Sequence, residues 1–192
     1  MVQISPQWRI LDIGCGENYR SPWFERCLNV VGIDIRTVDT SMKPYERFVC
    51  GDACRLPFPD NSFDLVYSNS LIEHLPTREH QRQFASEVSR VGRYYWIQTP
   101  DIGFPVDPHY LIPFFQHLPG NWQRPIADRL SGSWLLGGYY VTGGWNISDY
   151  RFQTVLGLDG QGLSALFPRA RLLRQRFVGL SQSIVAANVP SS

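Results

Sequence analysis

Short apolar runs recur through the first half of the chain. They occupy residues 9–14, 30–35, about 47–51, 63–68 and 93–98. Runs of this length, bounded by turn-forming residues, are typical of buried strands, and strands of a parallel sheet are apolar on both faces. The pattern therefore predicts five core strands.

Helical patterns separate some of these runs. Ser21 and Pro22 open a predicted short helix over 21–28, with serine as the N-cap and proline at the first helical position. Thr77 precedes a longer pattern over 78–90, whose apolar side chains recur at helical spacing. Strands that alternate with helices predict an α/β fold, a three-layer sandwich with helices on both faces of the sheet.

The end of the chain has a different pattern. Gly162–Phe167 is predicted as a short helix, and 169–178 and 181–189 as two strands joined by Gly179 and Leu180. A two-residue link joins only antiparallel strands. The whole chain thus predicts a seven-stranded, mostly parallel sheet whose last strand is antiparallel.

A long segment lies between the fifth strand and this last part. Residues 101–152 are rich in proline and glycine, and they hold 11 of the 26 aromatic residues. Because so long a loop without structure is uncommon in a compact domain, we predict a lid with a short helix at about 109–118. The domain is then a single one over 1–192, with its core in 1–100 and 153–192.

Composition excludes several classes of protein. A net charge of +1 gives no reason to expect a nucleic-acid partner. No apolar run is long enough for a transmembrane helix, and the first strand begins too early for a signal peptide, so we expect a soluble, cytoplasmic protein. The cysteines lack the spacing of a zinc site, so no metal is expected and all four are interpreted as reduced and structural: Cys15, Cys27, Cys50 and Cys54.

The first strand ends in a glycine-rich turn. Gly14 and Gly16 follow Asp12 at alternate positions, and glycine allows the positive φ that lets a ligand approach the backbone. Tyr19 stands where a nicotinamide-binding turn has its third glycine, so a dinucleotide fits poorly.

Polar side chains recur near the ends of the other strands. Asp34 lies 20 residues after Gly14, a distance at which a carboxylate binds ribose hydroxyls in related folds. Asp52 and Asn69 follow the third and fourth strands. Because ligands of open α/β sheets bind beyond the carboxyl ends of the strands, these side chains are expected to line one crevice.

Over residues 9–100 the chain resembles the class I S-adenosylmethionine (SAM) dependent methyltransferases. Their glycine motif, D-x-G-x-G-x-G, is matched at Asp12, Gly14 and Gly16, with Asn18 in place of the last glycine. The resemblance implies SAM as cofactor and S-adenosylhomocysteine as product. It places the glycine turn under the methionine portion, Asp34 on the ribose, and Ser68 or Asn69 near the sulfonium end. The implied cofactor-binding set is Asp12, Gly14, Cys15, Gly16, Asp34, Ile35, Asp52 and Ala53 (the last two at the adenine) together with Asn69.

Methyl transfer from a sulfonium needs a positioned nucleophile and exclusion of water, with a general base only where the acceptor is weakly acidic. Histidine is the favoured base near neutral pH. His74 follows the fourth strand and His109 begins the predicted lid, so these two are the candidate catalytic residues. His80 is expected on a solvated helix face, and His117 at the surface or in packing.

The acceptor class is narrowed by the segment after the fourth strand. Residues 68–71 read Ser-Asn-Ser-Leu, without the Pro-Pro-aromatic segment of amino-methylating nucleic-acid enzymes. Glu73 alone cannot form the paired-glutamate loop of protein arginine methyltransferases, and no metal-binding acids suggest a catechol-type enzyme. The chain is similar to the broad type-11 group, which implies a small-molecule, sugar, glycan, quinone or lipid-linked acceptor.

Two alternatives stay open. The chain could bind SAM without catalysis and use its aromatic segment for a partner, which turnover of labelled SAM would decide. Residues 110–115 could instead contact a membrane, although a buried lid core is favoured and vesicle co-sedimentation would distinguish the two. The oligomeric state is not predicted.

Overall fold

The computed structural model describes most of the core and part of the predicted lid. The described residues are 4–16, 24, 26–37, 47–106, 112–119, 121–123, 125–126 and 155–190.

Seven strands form one mixed sheet, as predicted. They are β1 (Arg9–Ile13), β2 (Asn29–Asp34), β3 (Arg47–Cys50), β4 (Phe63–Asn69), β5 (Gly92–Pro100), β6 (Arg171–Phe177) and β7 (Leu180–Ala187). Their order is β3-β2-β1-β4-β5-β7-β6. β1 to β5 are parallel, and β7 is antiparallel to both neighbours. Strand order reverses between β1 and β4, where ligands of such sheets bind.

The longer helix, α1 (Arg78–Val91), covers one face of the sheet. Its start is fixed by Thr77, whose hydroxyl accepts a hydrogen bond from the His80 N–H at 3.2 Å. Phe84 and Val88 are fully buried against the sheet. The helix ends at Gly92, where a Cβ would lie 2.5 Å from a Val66 methyl group, so the abrupt entry into β5 requires glycine.

The C-terminal part contains the second helix and the antiparallel hairpin. In α2 (Gly160–Leu166) the carboxylate of Asp159 accepts from the Gly162 N–H at 2.7 Å as the N-cap. The hairpin turn consists of Val178 and Gly179, not the predicted Gly179 and Leu180. Both turn residues have positive φ, +48° and +81°, as a two-residue turn matched to the strand twist requires.

Two buried clusters lie on the two faces of the sheet. The larger one joins α1 and α2 to the strands, with Phe84, Leu163 and Phe167 among its members. The smaller one surrounds Phe24 and Tyr67, whose rings meet edge to face with centroids 4.9 Å apart. None of the helices in the described ranges has the length and apolar character needed to span a bilayer.

Two predicted helices fall partly outside the described residues. For the helix over 21–28, only 24 and 26–28 are described. For the helix over about 109–118, the described part holds a single 3-10 turn, Phe115–His117, and is not an α-helix. Phe114 precedes this turn with φ +58°, a left-handed conformation that a continuous right-handed helix does not allow. Of the predicted lid, 107–111, 120, 124 and 127–152 lie outside the described residues.

Candidate active site

The glycine turn after β1 is held against β2. The Gly14 N–H donates to the Ile33 carbonyl at 2.8 Å, and the turn continues through Gly14 and Gly16 with φ of +73° and +56°. A Cβ on Gly14 would lie 3.1 Å from Leu71, whereas no described heavy atom lies within 4 Å of a Cβ built on Gly16. Among the described residues, the turn is therefore packed against Leu71 at Gly14, whereas the Cβ position of Gly16 faces no neighbouring side chain.

Asp34 ends β2 and faces this turn. Its side chain is 8% exposed. One carboxylate oxygen accepts from the Gly16 N–H at 3.0 Å, and the other accepts from the Arg36 N–H at 3.1 Å and from Arg36 Nε at 3.4 Å. A carboxylate offers about four lone-pair directions. These bonds use three, and the long Nε bond comes from a side chain that is 42% exposed.

Asp12 and Cys15 flank the same turn. β1 ends at Ile13, so Asp12 lies one residue inside the strand, opposite Gly32 of β2 and Tyr67 of β4. It is 4% exposed, and Cys15 is also buried. Both residues therefore support the turn from below, and Gly16 is the more open part of the segment.

The segment after β3 carries the predicted adenine contacts. Asp52 is exposed, and its carboxylate accepts from the Cys54 N–H at 2.8 Å, which folds the segment into a tight turn beside Ala53. Burial and the nearby Asp52 carboxylate raise the pKa of the Cys54 thiol to about 11, so this thiol is protonated at neutral pH. Ile35 adds an apolar side chain that is 72% exposed directly after Asp34.

Arg90, at the end of α1, anchors the loop that follows this segment. Its guanidinium donates to the Leu56 and Phe58 carbonyls at 3.0 and 2.7 Å, to Asp60 at 2.8 Å and to Glu87 at 2.7 Å. The Glu87 carboxylate also accepts from the Leu56 N–H at 2.7 Å. These bonds fix the loop to the helix, and sequence patterns gave no sign of them.

Asn69 is the last residue of β4, and its strand is tied to both neighbours. The hydroxyl of fully buried Ser68 donates to the Ile13 carbonyl at 3.0 Å, and the Ser70 N–H donates to the Gln98 carbonyl at 3.0 Å. Ser70 has φ +54°, so the chain turns sharply there. Asn69 is thus placed at the carboxyl edge, where the chain leaves the sheet.

A buried polar network that the sequence analysis did not identify lies beyond β4 and β5. Glu73 is 1% exposed and accepts a hydrogen bond from the Thr99 hydroxyl at 2.9 Å. Its backbone carbonyl accepts from the Leu156 N–H at 2.8 Å. Gln81 of α1, also fully buried, donates to the Ile72 and Leu156 carbonyls, both at 2.9 Å. These residues are far apart in the sequence, and only the folded chain brings them into contact.

Of the two candidate bases, His74 is among the described residues and His109 is not. His74 ends the 3-10 turn Ile72–His74, is half-buried, and donates its backbone N–H to the Leu71 carbonyl at 2.9 Å. It therefore lies at the same carboxyl edge as Asn69. His109 lies outside the described residues, and so does its predicted approach to the methyl donor.

The start of the predicted insertion is bridged at this edge to the part of the chain that follows the insertion. Asp101 and Leu158 form a parallel bridge, and the Ile102 N–H donates to the Leu158 carbonyl at 3.1 Å. Asp101 is 7% exposed and pairs with Arg174 at 3.3 Å. The segment between them thus starts and returns beside Glu73 and β5.

The described residues fit SAM. The Asp34 carboxylate has an acceptor direction left, and a second is held only by the long Arg36 bond, so it can accept from both hydroxyls of a vicinal diol. No described heavy atom lies within 4 Å of the Cβ position of Gly16, so the described residues leave that side of the turn free for a ligand.

Comparisons with known proteins agree with this geometry. The model of the methyltransferase domain family matches residues 11–94. A 2-methyl-6-phytyl-1,4-hydroquinone methyltransferase from Synechocystis sp. is 28% identical over 167 residues, which cover 75% of this chain and 51% of that protein. The 24-methylenesterol C-methyltransferase 2 of Arabidopsis thaliana is 30% identical over 125 residues, which cover 57% and 35%.

A solved SAM-dependent methyltransferase structure from Methanosarcina mazei shares the fold, with a TM-score of 0.53, 17% identity and coverage of 96% of this chain and 93% of that one. The chain spans about half the length, or less, of the two curated relatives named above. With the strand order and the glycine turn, these matches show that the chain has the class I Rossmann-like fold of SAM-dependent methyltransferases and is similar to the methyltransferase domain family over residues 11–94.

Proposed function

We propose that this chain transfers the methyl group of SAM to a small-molecule acceptor of lipid type. The observation that carries the proposal is the open glycine turn beside the buried Asp34 carboxylate. The acceptor class is supported by the two curated relatives, whose names specify a phytyl hydroquinone and a sterol. Both are lipophilic molecules.

Each predicted residue receives a role in this proposal. Asp34 accepts from the ribose hydroxyls, and Asp52, with Ala53 and Ile35, contacts the adenine. Asn69 lies toward the sulfonium. The glycine turn, formed by Asp12, Gly14, Cys15 and Gly16, lies under the methionine portion.

In this reaction the protein mainly has to position the acceptor and exclude water. When bound, the cofactor supplies a methyl group already activated by its sulfonium. The chain orients the acceptor atom in line with that group and keeps water out, which for a well-aligned pair accounts for much of the rate. For a hydroxyl acceptor, the new oxygen–carbon bond forms as the carbon–sulfur bond breaks, and an imidazole nitrogen of His109 or His74 takes the proton.

Residues 101–152 form the acceptor pocket in this proposal. Support comes from Asp101, which begins this segment and forms a bridge with Leu158, six residues after the segment ends, at the carboxyl edge beside Glu73 and β5. Eleven of the 26 aromatic residues lie in this segment, which suits a lipophilic acceptor.

The test uses the purified chain and SAM labelled in its methyl group. Prenylated hydroquinones, sterols and free sugars are supplied separately, and labelled product is measured for each. We expect label in a lipophilic acceptor and none in the sugars. Transfer to sugars alone would overturn the acceptor class, and binding of S-adenosylhomocysteine without transfer to any acceptor would favour the non-catalytic alternative.

A further inference from the structure

The turn of the β6–β7 hairpin is built from an unexpected residue. Val178 has φ +48° and Gly179 has φ +81°. Two-residue turns with both φ values positive favour Asn-Gly or Asp-Gly, and a β-branched residue in this conformation is a genuine outlier. Outliers of this kind persist where the surrounding structure imposes them, and they cluster at functional sites.

Val178 also presents its side chain to solvent, with 85% of it exposed. Its neighbours Phe177 and Leu180 are 59% and 51% exposed. We call residues 177–180 the apolar tip. Three large apolar side chains at one turn, one of them held in an unfavourable conformation, indicate a surface that meets an apolar environment.

The hairpin that carries the apolar tip contains no acidic residue. Of the three arginines in this hairpin, Arg174 and Arg176 lie in the half of β6 next to the tip, whereas Arg171 begins the strand at its far end. Arg176 is exposed next to the tip, and Arg174 is 44% exposed although it pairs with Asp101. A positive flank around an apolar tip complements an anionic surface that has an apolar interior.

The apolar tip projects from the edge of the sheet that carries the candidate site. β7 is antiparallel to β5, Ser183 pairs with Pro100 at the carboxyl end of β5, and the Asp101 N–H donates to the Gln182 carbonyl at 3.1 Å. Leu180 begins β7, so the tip lies beyond that end. A surface that received the tip would face the mouth of the crevice.

We propose that the apolar tip inserts into the interface of an anionic lipid bilayer while the adjacent arginines contact lipid phosphates. Docking of this kind needs no spanning helix. It would bring the carboxyl edge of the sheet to the lipid surface, and its use for collecting a lipid-type acceptor rests on the proposed function. The docking itself does not depend on that function.

Charge favours a bilayer over a second copy of the chain as the occupant. In a twofold contact between two tips, the arginines of one copy would face those of the other, since such contacts use the same patch on both copies. Like charges in that position oppose association, whereas lipid phosphates attract them.

The experiment measures co-sedimentation of the full chain with vesicles of phosphatidylcholine alone or with one third phosphatidylglycerol, without SAM or acceptor. We expect binding to the anionic vesicles that weakens as salt is raised. Val178→Asn should lower the partition coefficient about tenfold, the contribution of one buried aliphatic side chain. Asparagine also suits the turn, so this variant is expected to fold.

Arg176→Gln should lower partitioning about fivefold, the contribution of one basic residue near an anionic surface. Two controls match these changes. Leu28→Asn removes a side chain that is 81% exposed just before β2, at the opposite edge of the sheet, and Arg82→Gln removes an exposed arginine of α1. Neither should change partitioning.

Three results would overturn the proposal: no binding of the unmodified chain to anionic vesicles, equal losses in Val178→Asn and Leu28→Asn, or a dimer in sedimentation velocity that Val178→Asn abolishes. Calorimetry with S-adenosylhomocysteine on the same proteins keeps the two proposals apart. Vesicle binding without cofactor binding would refute the proposed function but support the docking surface. Cofactor binding without vesicle binding would refute the docking surface but not the proposed function.

Discussion

The Asp34 carboxylate accepts a hydrogen bond from the backbone N–H of Gly16 at 3.0 Å. This bond joins the turn after β1 to the last residue of β2, although the two residues are 18 positions apart in the sequence. It places a buried negative charge next to the most open point of the glycine turn. The proposed cofactor site therefore depends on both residues, which this one hydrogen bond connects.

Replacing Asp34 by alanine should weaken binding of S-adenosylhomocysteine by about 1–3 kcal/mol, the usual loss of a hydrogen bond to a charged group. Titration calorimetry measures the change. Glu79→Ala, which removes a carboxylate that is 62% exposed on α1, serves as the control. Equal affinity in the Asp34 variant and the control would mean that another residue holds the ribose.

Replacing Gly16 by alanine should reduce both stability and cofactor affinity. An L-residue in the left-handed conformation costs about 1–2 kcal/mol, and the added methyl group would enter the space where the ligand approaches. Gly179→Ala is a matched control, because Gly179 has φ +81° and no described heavy atom within 4 Å of its Cβ position. Urea unfolding should show similar losses for both variants, and calorimetry should show weaker binding only for Gly16→Ala. A similar loss of binding in both would contradict the open-turn assignment.

Glu87 should give the free energy of unfolding a specific pH dependence. The Arg90 guanidinium, by hydrogen bonding to Glu87, lowers the pKa of this carboxyl below its ordinary value of 4.5, and the Leu56 N–H acts in the same direction. Since the folded-state pKa is lowered, the stabilisation is complete above the ordinary value and is lost as pH falls through the lowered one.

The difference in unfolding free energy between the unmodified chain and Glu87→Gln should therefore be constant near neutral pH and shrink only in acid. Chemical denaturation at a series of pH values measures it. Glu79→Gln, at an exposed pair, should show a much smaller difference throughout. A difference that stayed constant down to the acid limit would show that Glu87 keeps an ordinary pKa.

Thr99→Val should destabilise the chain by about 1–3 kcal/mol, because a buried carboxylate loses a donor. The Thr99 hydroxyl donates to Glu73 at 2.9 Å, and both side chains are almost completely buried. Thr99→Ser keeps the hydroxyl and should recover part of the loss. If serine were no better than valine, packing of the threonine methyl group would be the cause.

His109→Ala should lower turnover about 10²-fold if this residue is the general base, with SAM affinity nearly unchanged. His74→Ala tests the other candidate in the same assay. His117→Ala, at an exposed position, is the control. Full activity in both of the first two variants would indicate that the acceptor needs no base from this chain.

The sequence by itself determined the fold, and it predicted that the candidate site residues lie at one edge of the sheet. Apolar runs separated by turns predicted the five parallel strands to within a few residues, because burial in a parallel sheet leaves a local signature, and the two-residue link predicted the antiparallel pair β6 and β7. Thr77 predicted the start of α1 for a similar reason, since an N-cap acts within one turn. The acids at the strand ends could be placed at one edge because parallel strands all point the same way.

Tertiary structure alone decided which groups meet. The bonds of Glu73 to Thr99 and Leu156, of Arg90 to the loop before β4, and of Asp34 to Gly16 join residues between 18 and 83 positions apart. Hydrogen bonds between residues so far apart depend on how helices, strands and loops pack, and the hydrophobic periodicity of the sequence does not predict them. The observed hairpin turn lies one residue before the predicted turn for the same reason. The pairing of β6 with β7 decides which two residues form the turn, and these are Val178 and Gly179.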